Sequence, residues 1–169
     1  MNMKKSNAIL LALAIAATCG YAANHIASGA QADTSSTLLG VDANKNGIRD
    51  DIDAYIASSI PPALQAHVGH MARSFSHFLE IDVGDKEEVR YAVNSHFSEK
   101  RCAREEAKRL ESRGINIDVS VISLELEKRT FNTKARYNLY MRVNQQASGM
   151  VFGTNHCKDA PSQKLASQR

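Results

Sequence analysis

The strongest constraint on the fold is a period. Between Ile52 and Val143 apolar residues recur at spacings of three and four, the repeat of helices with one buried face, and each run stops where a helix is hard to continue. Ile52, Tyr55, Ile56 and Ile60 make the first stripe, and Pro61 and Pro62 end it. Pro62 suits the first turn of a second helix, whose stripe is Leu64, Val68, Met71, Phe75 and Phe78, out to about Leu79. Asp85 and Glu88 then stand at capping-box spacing, and Gly114 is placed to cap the far end of a long helix. That helix turns Val89, Ala92, Val93, Ala103, Ala107 and Leu110 inward, with a break near Ser98 left open; Glu105 and Arg109, four apart in the favoured order, support it.

The segment after Gly114 fits two patterns. Ile115, Ile117, Val119 and Val121 alternate like a strand, whereas Val119, Ile122 and Leu126 fit a helix. A lone strand has no partner elsewhere in the chain, so an extended start and a helix from about Asp118 is the preferred reading. A last helix is expected from about Asn132 to Ser148, with Ala135, Leu139 and Val143 inward and Gly149 as its stop. The sum is an all-α bundle of four to five helices, without internal repeats.

The N-terminus reads as an export signal: Lys4 and Lys5 precede the apolar run Ala8 to Ala17, and smaller, more polar residues follow. Two cut sites compete, after Gly20-Tyr21-Ala22 or after Ala30-Gln31-Ala32, so the signal covers residues 1–22 or extends up to 32. A single helical domain is expected over 33–158, with a loose tail at 159–169. Membrane attachment would require lipidation of Cys19 or an uncleaved signal. In an oxidising compartment, periplasmic or secreted, Cys102 and Cys157 are expected to form a disulfide. The net charge of +3 includes Lys4 and Lys5, so the mature chain carries +1, with mixed charges, and nucleic acid is not an expected partner.

The stretch DANKNGIRDDID, residues 42 to 53, carries the clearest chemistry. Its spacing matches a twelve-residue calcium loop, with Asp42, Asn44 and Asn46 at positions 1, 3 and 5, Gly47 at 6, Ile48 at 7, Asp50 at 9 and Asp53 at 12. Calcium takes six to eight oxygens at about 2.4 Å, and alternate side chains on a tight turn converge on one point. Glycine permits the bend, Ile48 offers its backbone carbonyl, and Asp53 reaches in from the first turn of the next helix. The competing reading is an Asx-rich turn before an acidic helix N-terminus.

These twelve residues resemble an EF-hand or dockerin-type loop. The chain departs from that pattern in having no incoming helix, Arg49 at the usually apolar position 8, and Asp rather than Glu at position 12. A single unpaired loop implies a structural Ca2+ rather than a sensor. More widely, the chain resembles small exported bacterial proteins of undetermined function that carry D-x-N-x-N-G-x-R-D-D, here Asp42 to Asp51, and N-T-x-x-R followed by a tyrosine, here Asn132, Thr133, Arg136 and Tyr140. That resemblance implies a helical domain and export, and supplies no activity.

His67, His70 and His77 share one helix, but His70 and His77 are seven apart and face mostly solvent, which does not suit a single tetrahedral ion. His96 falls on an inward face as a packed histidine. Arg136, Tyr137, Tyr140 and Arg142 are residue types found at binding hot spots, although their angles send some into the core. No catalytic residues are nominated. The functional expectation is a calcium-binding interaction module with a protein partner in the cell envelope, such as an inhibitor or immunity protein; the alternative is a calcium-dependent cell-envelope hydrolase.

Overall fold

A computed structural model describes residues 31–153 and Cys157. Residues 1–30, on which most of the expected signal segment and Cys19 fall, lie outside the described residues, as do His156 and the tail after Cys157. The described residues form five α-helices and no strand: α1 (Asp50–Ser59), α2 (Pro62–His77), α3 (Lys86–Glu111), α4 (Val119–Thr130) and α5 (Lys134–Ala147). The all-α expectation holds. Among the described residues no helix is long and apolar enough to cross a membrane.

The second helix is the centre of the bundle, packing against α1, α3 and α4, while α3 also carries α5. Its stripe of Leu64, Val68, Met71, Phe75 and Phe78 is buried as the period requires. The segment at 115–118 is neither helix nor strand, Asp118 itself is extended, and α4 begins at Val119, where Asp118 accepts a hydrogen bond from the Ser120 amide at 2.8 Å and caps the new helix. Gly114, at φ +82°, makes the left-handed turn out of α3, where a Cβ would be strained.

One open point closes and three sequence expectations change in detail. The α3 helix runs through Ser98 unbroken, even though the Ser98 hydroxyl donates to the Asn94 carbonyl one turn back, a bond that competes with the backbone ladder. Asp85 caps the Glu87 and Glu88 amides, but the Glu88 carboxylate turns to the Asp82 amide, so the reciprocal half of the capping box is not made. Arg109 pairs with Glu106 at 2.7 Å rather than with Glu105. In α5 the inward face includes Arg136 and not Ala135, which is exposed.

A ring of aromatics fills the space between α2, α3 and the start of α5. Phe131 stacks on Tyr140 at 4.2 Å, Phe75 meets Phe131 edge-on at 5.7 Å, and the His96 ring lies 4.0 Å from Phe75. The Ser74 hydroxyl gives its hydrogen to the Met71 carbonyl, so at 2.9 Å it can only accept from Nδ1–H of His96. Burial, and then the Lys100 charge, push His96 down from 6.5 to about 3. Cys102 on α3 and Cys157 are paired at disulfide distance, with Cα atoms 5.2 Å apart and a sequence separation of 55.

Two outcomes follow from these contacts. Because the folded His96 stays neutral while the unfolded one protonates, its contribution is fully present above pH 6.5 and is lost as pH falls towards 3, at up to about 1.4 kcal/mol per pH unit. Urea titrations at a series of pH values should show this slope, and His96→Phe should flatten it; an unchanged slope would refute the assignment. Reducing the Cys102–Cys157 bond frees the loop it closes and should lower stability by about 4 kcal/mol, read as an earlier unfolding midpoint with reductant.

Candidate metal site

The loop before α1 folds around its own side chains. Asp42 accepts from the Asn46 amide at 3.2 Å and the Gly47 amide at 2.9 Å, drawing the chain into a tight turn. Lys45 at φ +57° and Gly47 at φ +81° make the bend, and the Arg73 side chain lies close against the glycine. Asn44 and Asn46 also accept from the amides two residues on, as Asx turns, at 3.0 and 2.8 Å. Their carboxamides donate to one and the same oxygen of Asp53, at 3.0 and 2.7 Å.

The positions named from spacing are therefore brought together unevenly. Asn44, Asn46 and Asp53 converge on a point, whereas Asp42 and Asp50 serve the loop backbone, with Asp50 accepting from the Ala43 amide at 3.0 Å. Ile48 is buried and sits against Gly69 of α2, which fixes the loop to the core from position 7. Among the described residues no group of three or more His, Cys, Asp or Glu side chains is placed to hold a metal ion, and here one carboxylate is met by two carboxamides. The donor set is all oxygen once the carboxamides present Oδ1, which fits a hard cation such as calcium rather than a transition metal.

Arg49, at position 8, is where sequence reasoning fell short. Its side chain is buried and holds Asp51 through two bonds, Nε to Oδ1 at 2.5 Å and NH2 to Oδ2 at 2.9 Å. The same guanidinium donates to the Arg129 carbonyl at 2.6 Å, so it also satisfies the C-terminal end of α4. Burial raises the Asp51 carboxyl, but the Arg49 fork and the Asp33 amide outweigh it and hold the group below the usual carboxylate range.

Arg136 forms a second clamp and has no exposed surface. Its guanidinium donates to the carbonyls of Asp33 at 2.6 Å, Thr37 at 2.9 Å and Leu38 at 2.9 Å, and to the Asn132 side chain at 2.7 Å. The segment 33–41, otherwise polar and mostly exposed, is strapped to the domain by these bonds. Asn132 also donates to the Asp33 carbonyl, Thr133 caps α5 and Tyr140 stacks on Phe131. The two short motifs thus meet in space: Asp51 of the first, held by Arg49, accepts from Asp33, which Asn132 and Arg136 of the second hold in place. The spacing of N-T-x-x-R carried that signal, without saying what the arginine binds.

The histidines of α2 do not form a site. His67, His70 and His77 are partly buried; His70 lies 3.2 Å from Arg73, and burial followed by the Arg73 charge pushes it below its ordinary value. Comparison of the chain with protein-family models, curated proteins and solved structures finds no match.

Arg136 gives this region its sharpest test. Arg136→Met removes the guanidinium donors to three strap carbonyls, leaving only Asn132 on that of Asp33, and should cost about 3–5 kcal/mol, as breaking a buried charged network does. Arg136→Lys should restore little, because an ammonium cannot span the same carbonyls. Denaturant unfolding of both variants, with amide exchange over residues 33–41, reads the effect; a wild-type midpoint for the Met variant would refute it.

Proposed function

We propose that this protein is an exported, calcium-stabilised helical module that works by binding a protein partner in the cell envelope, in the manner of an inhibitor or immunity protein. The observation that carries the calcium half is the convergence of Asn44, Asn46 and Asp53 on one point of a loop bent at Gly47. When bound, calcium would replace two amide donors as the partner of Asp53, with Asp42, Asn44, Asn46, Asp53 and the Ile48 carbonyl as the protein's oxygens and Asp50 near the rim. Its contribution is stabilisation: it neutralises acids crowded at the N-terminus of α1, where Asp50, Asp51 and Asp53 share one turn. The loop has no helix on its incoming side, since none of residues 34–41 is helical and 36–39 form a bend, so it lacks the helix pair that a sensor opens.

Export is supported by the Lys4-Lys5 and apolar N-terminal pattern and by the Cys102–Cys157 pairing, which suits an oxidising compartment. The partner half is supported by the surface: Tyr137 and Met141, one turn apart on α5, and Val121 and Leu124 on α4 are each about half exposed. A hydrolase needs a reachable nucleophile with a base. Ser74 and His96 make a serine–histidine contact, but both are buried and the histidine donates rather than accepts, so the pair cannot activate the hydroxyl.

Calcium has a direct readout. Thermal unfolding in millimolar calcium should have a midpoint several degrees above that in chelator. Asp42→Ala should lower the midpoint in both conditions and abolish the difference between them, since Asp42 supports the turn as well as the ion. Equal midpoints for the unmodified protein would sink the site.

A further inference from the structure

The contacts of Asp33 define a boundary. Its amide nitrogen donates to Asp51 Oδ2 at 3.0 Å, its carboxylate accepts from the Ser35 and Val41 amides at 2.7 Å each, and its carbonyl accepts from Arg136 and Asn132. Every polar group of Asp33 is thus engaged with the domain. Gln31 and Ala32 immediately before it are exposed. The Ala32–Asp33 peptide bond joins an exposed segment to the first residue that the fold grips, and Ala30-Gln31-Ala32 has the small residues an export peptidase takes.

The surrounding charge adds an independent argument. An open cleft of about 300 Å3 beside this bond is lined by Gln31, Asp33, Val41, Asp50 and Asp51. Three carboxylate residues therefore border it; Arg49 reaches Asp51 and Arg136 reaches Asp33, while Asp50 accepts from the Ala43 amide. Asp51 is already held by Arg49, yet its Oδ2 spends its other contact on a neutral amide, that of Asp33. An ammonium at the same place would match three carboxylates with three cations, and a charged donor bonds a carboxylate more strongly than an amide does.

We infer that the exported chain is cut between Ala32 and Asp33, and that the new α-ammonium of Asp33 seats on Asp51 as part of the folded structure. Water cleaves the C–N bond under a peptidase of Ala-x-Ala specificity, leaving a carboxylate on Ala32 and an ammonium on Asp33. The cleft leaves room for the two further hydrogens of that group. Processing and folding then support each other, because the terminus made by the cut becomes an ion-pair partner of the Arg49–Asp51 clamp. This rests on the export reading above.

Intact mass and N-terminal sequencing of the protein from the envelope fraction decide it. A chain beginning at Asp33 is expected, with Ala32→Leu abolishing that product and Ala22→Leu leaving it unchanged. An exported chain that starts elsewhere, or a start lost with Ala22→Leu, overturns the cut while leaving export standing; an unprocessed chain kept in the cytoplasm overturns export itself and this inference with it. The seating is read separately. Protein that starts at Asp33 should melt several degrees above protein that retains Gln31 and Ala32, and equal midpoints would overturn the ion pair even if the cut is right.

Discussion

A buried guanidinium organises the N-terminal half of the molecule. Arg136 has no contact with solvent, and its donors are spread over three backbone carbonyls of a strap that buries little apolar surface. Burying such a charge is costly unless its hydrogens are engaged. The strap supplies that engagement, and the arginine in turn holds the strap, beside the bonds that Asp33 makes with Asp51 and Asn132 and that Val41 makes with the Asp50 amide. Apolar packing contributes little, since Leu38, Leu39 and Val41 are all exposed.

The loop, the strap and the end of α4 are consequently one unit. Val41 ties strap to helix by accepting from the Asp50 amide at 2.8 Å, Asp51 accepts from Asp33, and Arg49 reaches from the loop to the last carbonyls of α4. Packing is close enough that Gly40 admits no side chain: a Cβ there would run into Arg49 and Asp33. A cation held by Asn44, Asn46 and Asp53 would therefore act on more than twelve residues, because the loop cannot loosen without disturbing a clamp that also caps a helix on the far side of the chain. The role proposed for calcium, holding the N-terminal end of the domain in place, has this network as its physical basis.

Reading the chain by periodicity worked where burial is decided by apolar side chains. The stripes of α1, α2 and α3 and the stops at Pro61, Gly114 and Gly149 are local in origin, and the helices follow them. The reading failed by one residue in α5, where Ala135 seemed the natural inward residue and Arg136 is the buried one. Charge and size argue for putting an arginine outside, and only partners about a hundred residues away in sequence, such as the Asp33 carbonyl, reverse that preference. Arg49 misled in the same way. As a departure from a loop pattern it looked like a weakness, and it turns out to be the side chain that joins the loop to α4.

The sequence alone determined the helical class, the helix stops and the bend of the loop at 42–53, because each depends on spacing along the chain; the pairing of Cys102 with Cys157 agrees with the expectation drawn from cysteine count. It also placed Asn44, Asn46 and Asp53 at a spacing that lets them converge, whereas Asp42 and Asp50, named from the same spacing, bond the loop backbone instead. The inward place of His96 was legible from the helical period, but tertiary structure decided which charged residues go inside: Arg49, Asp51 and Arg136 are buried against carbonyls and side chains from other elements. A buried polar group is stable only where its partners are, and those partners are brought together by folding rather than by adjacency in sequence.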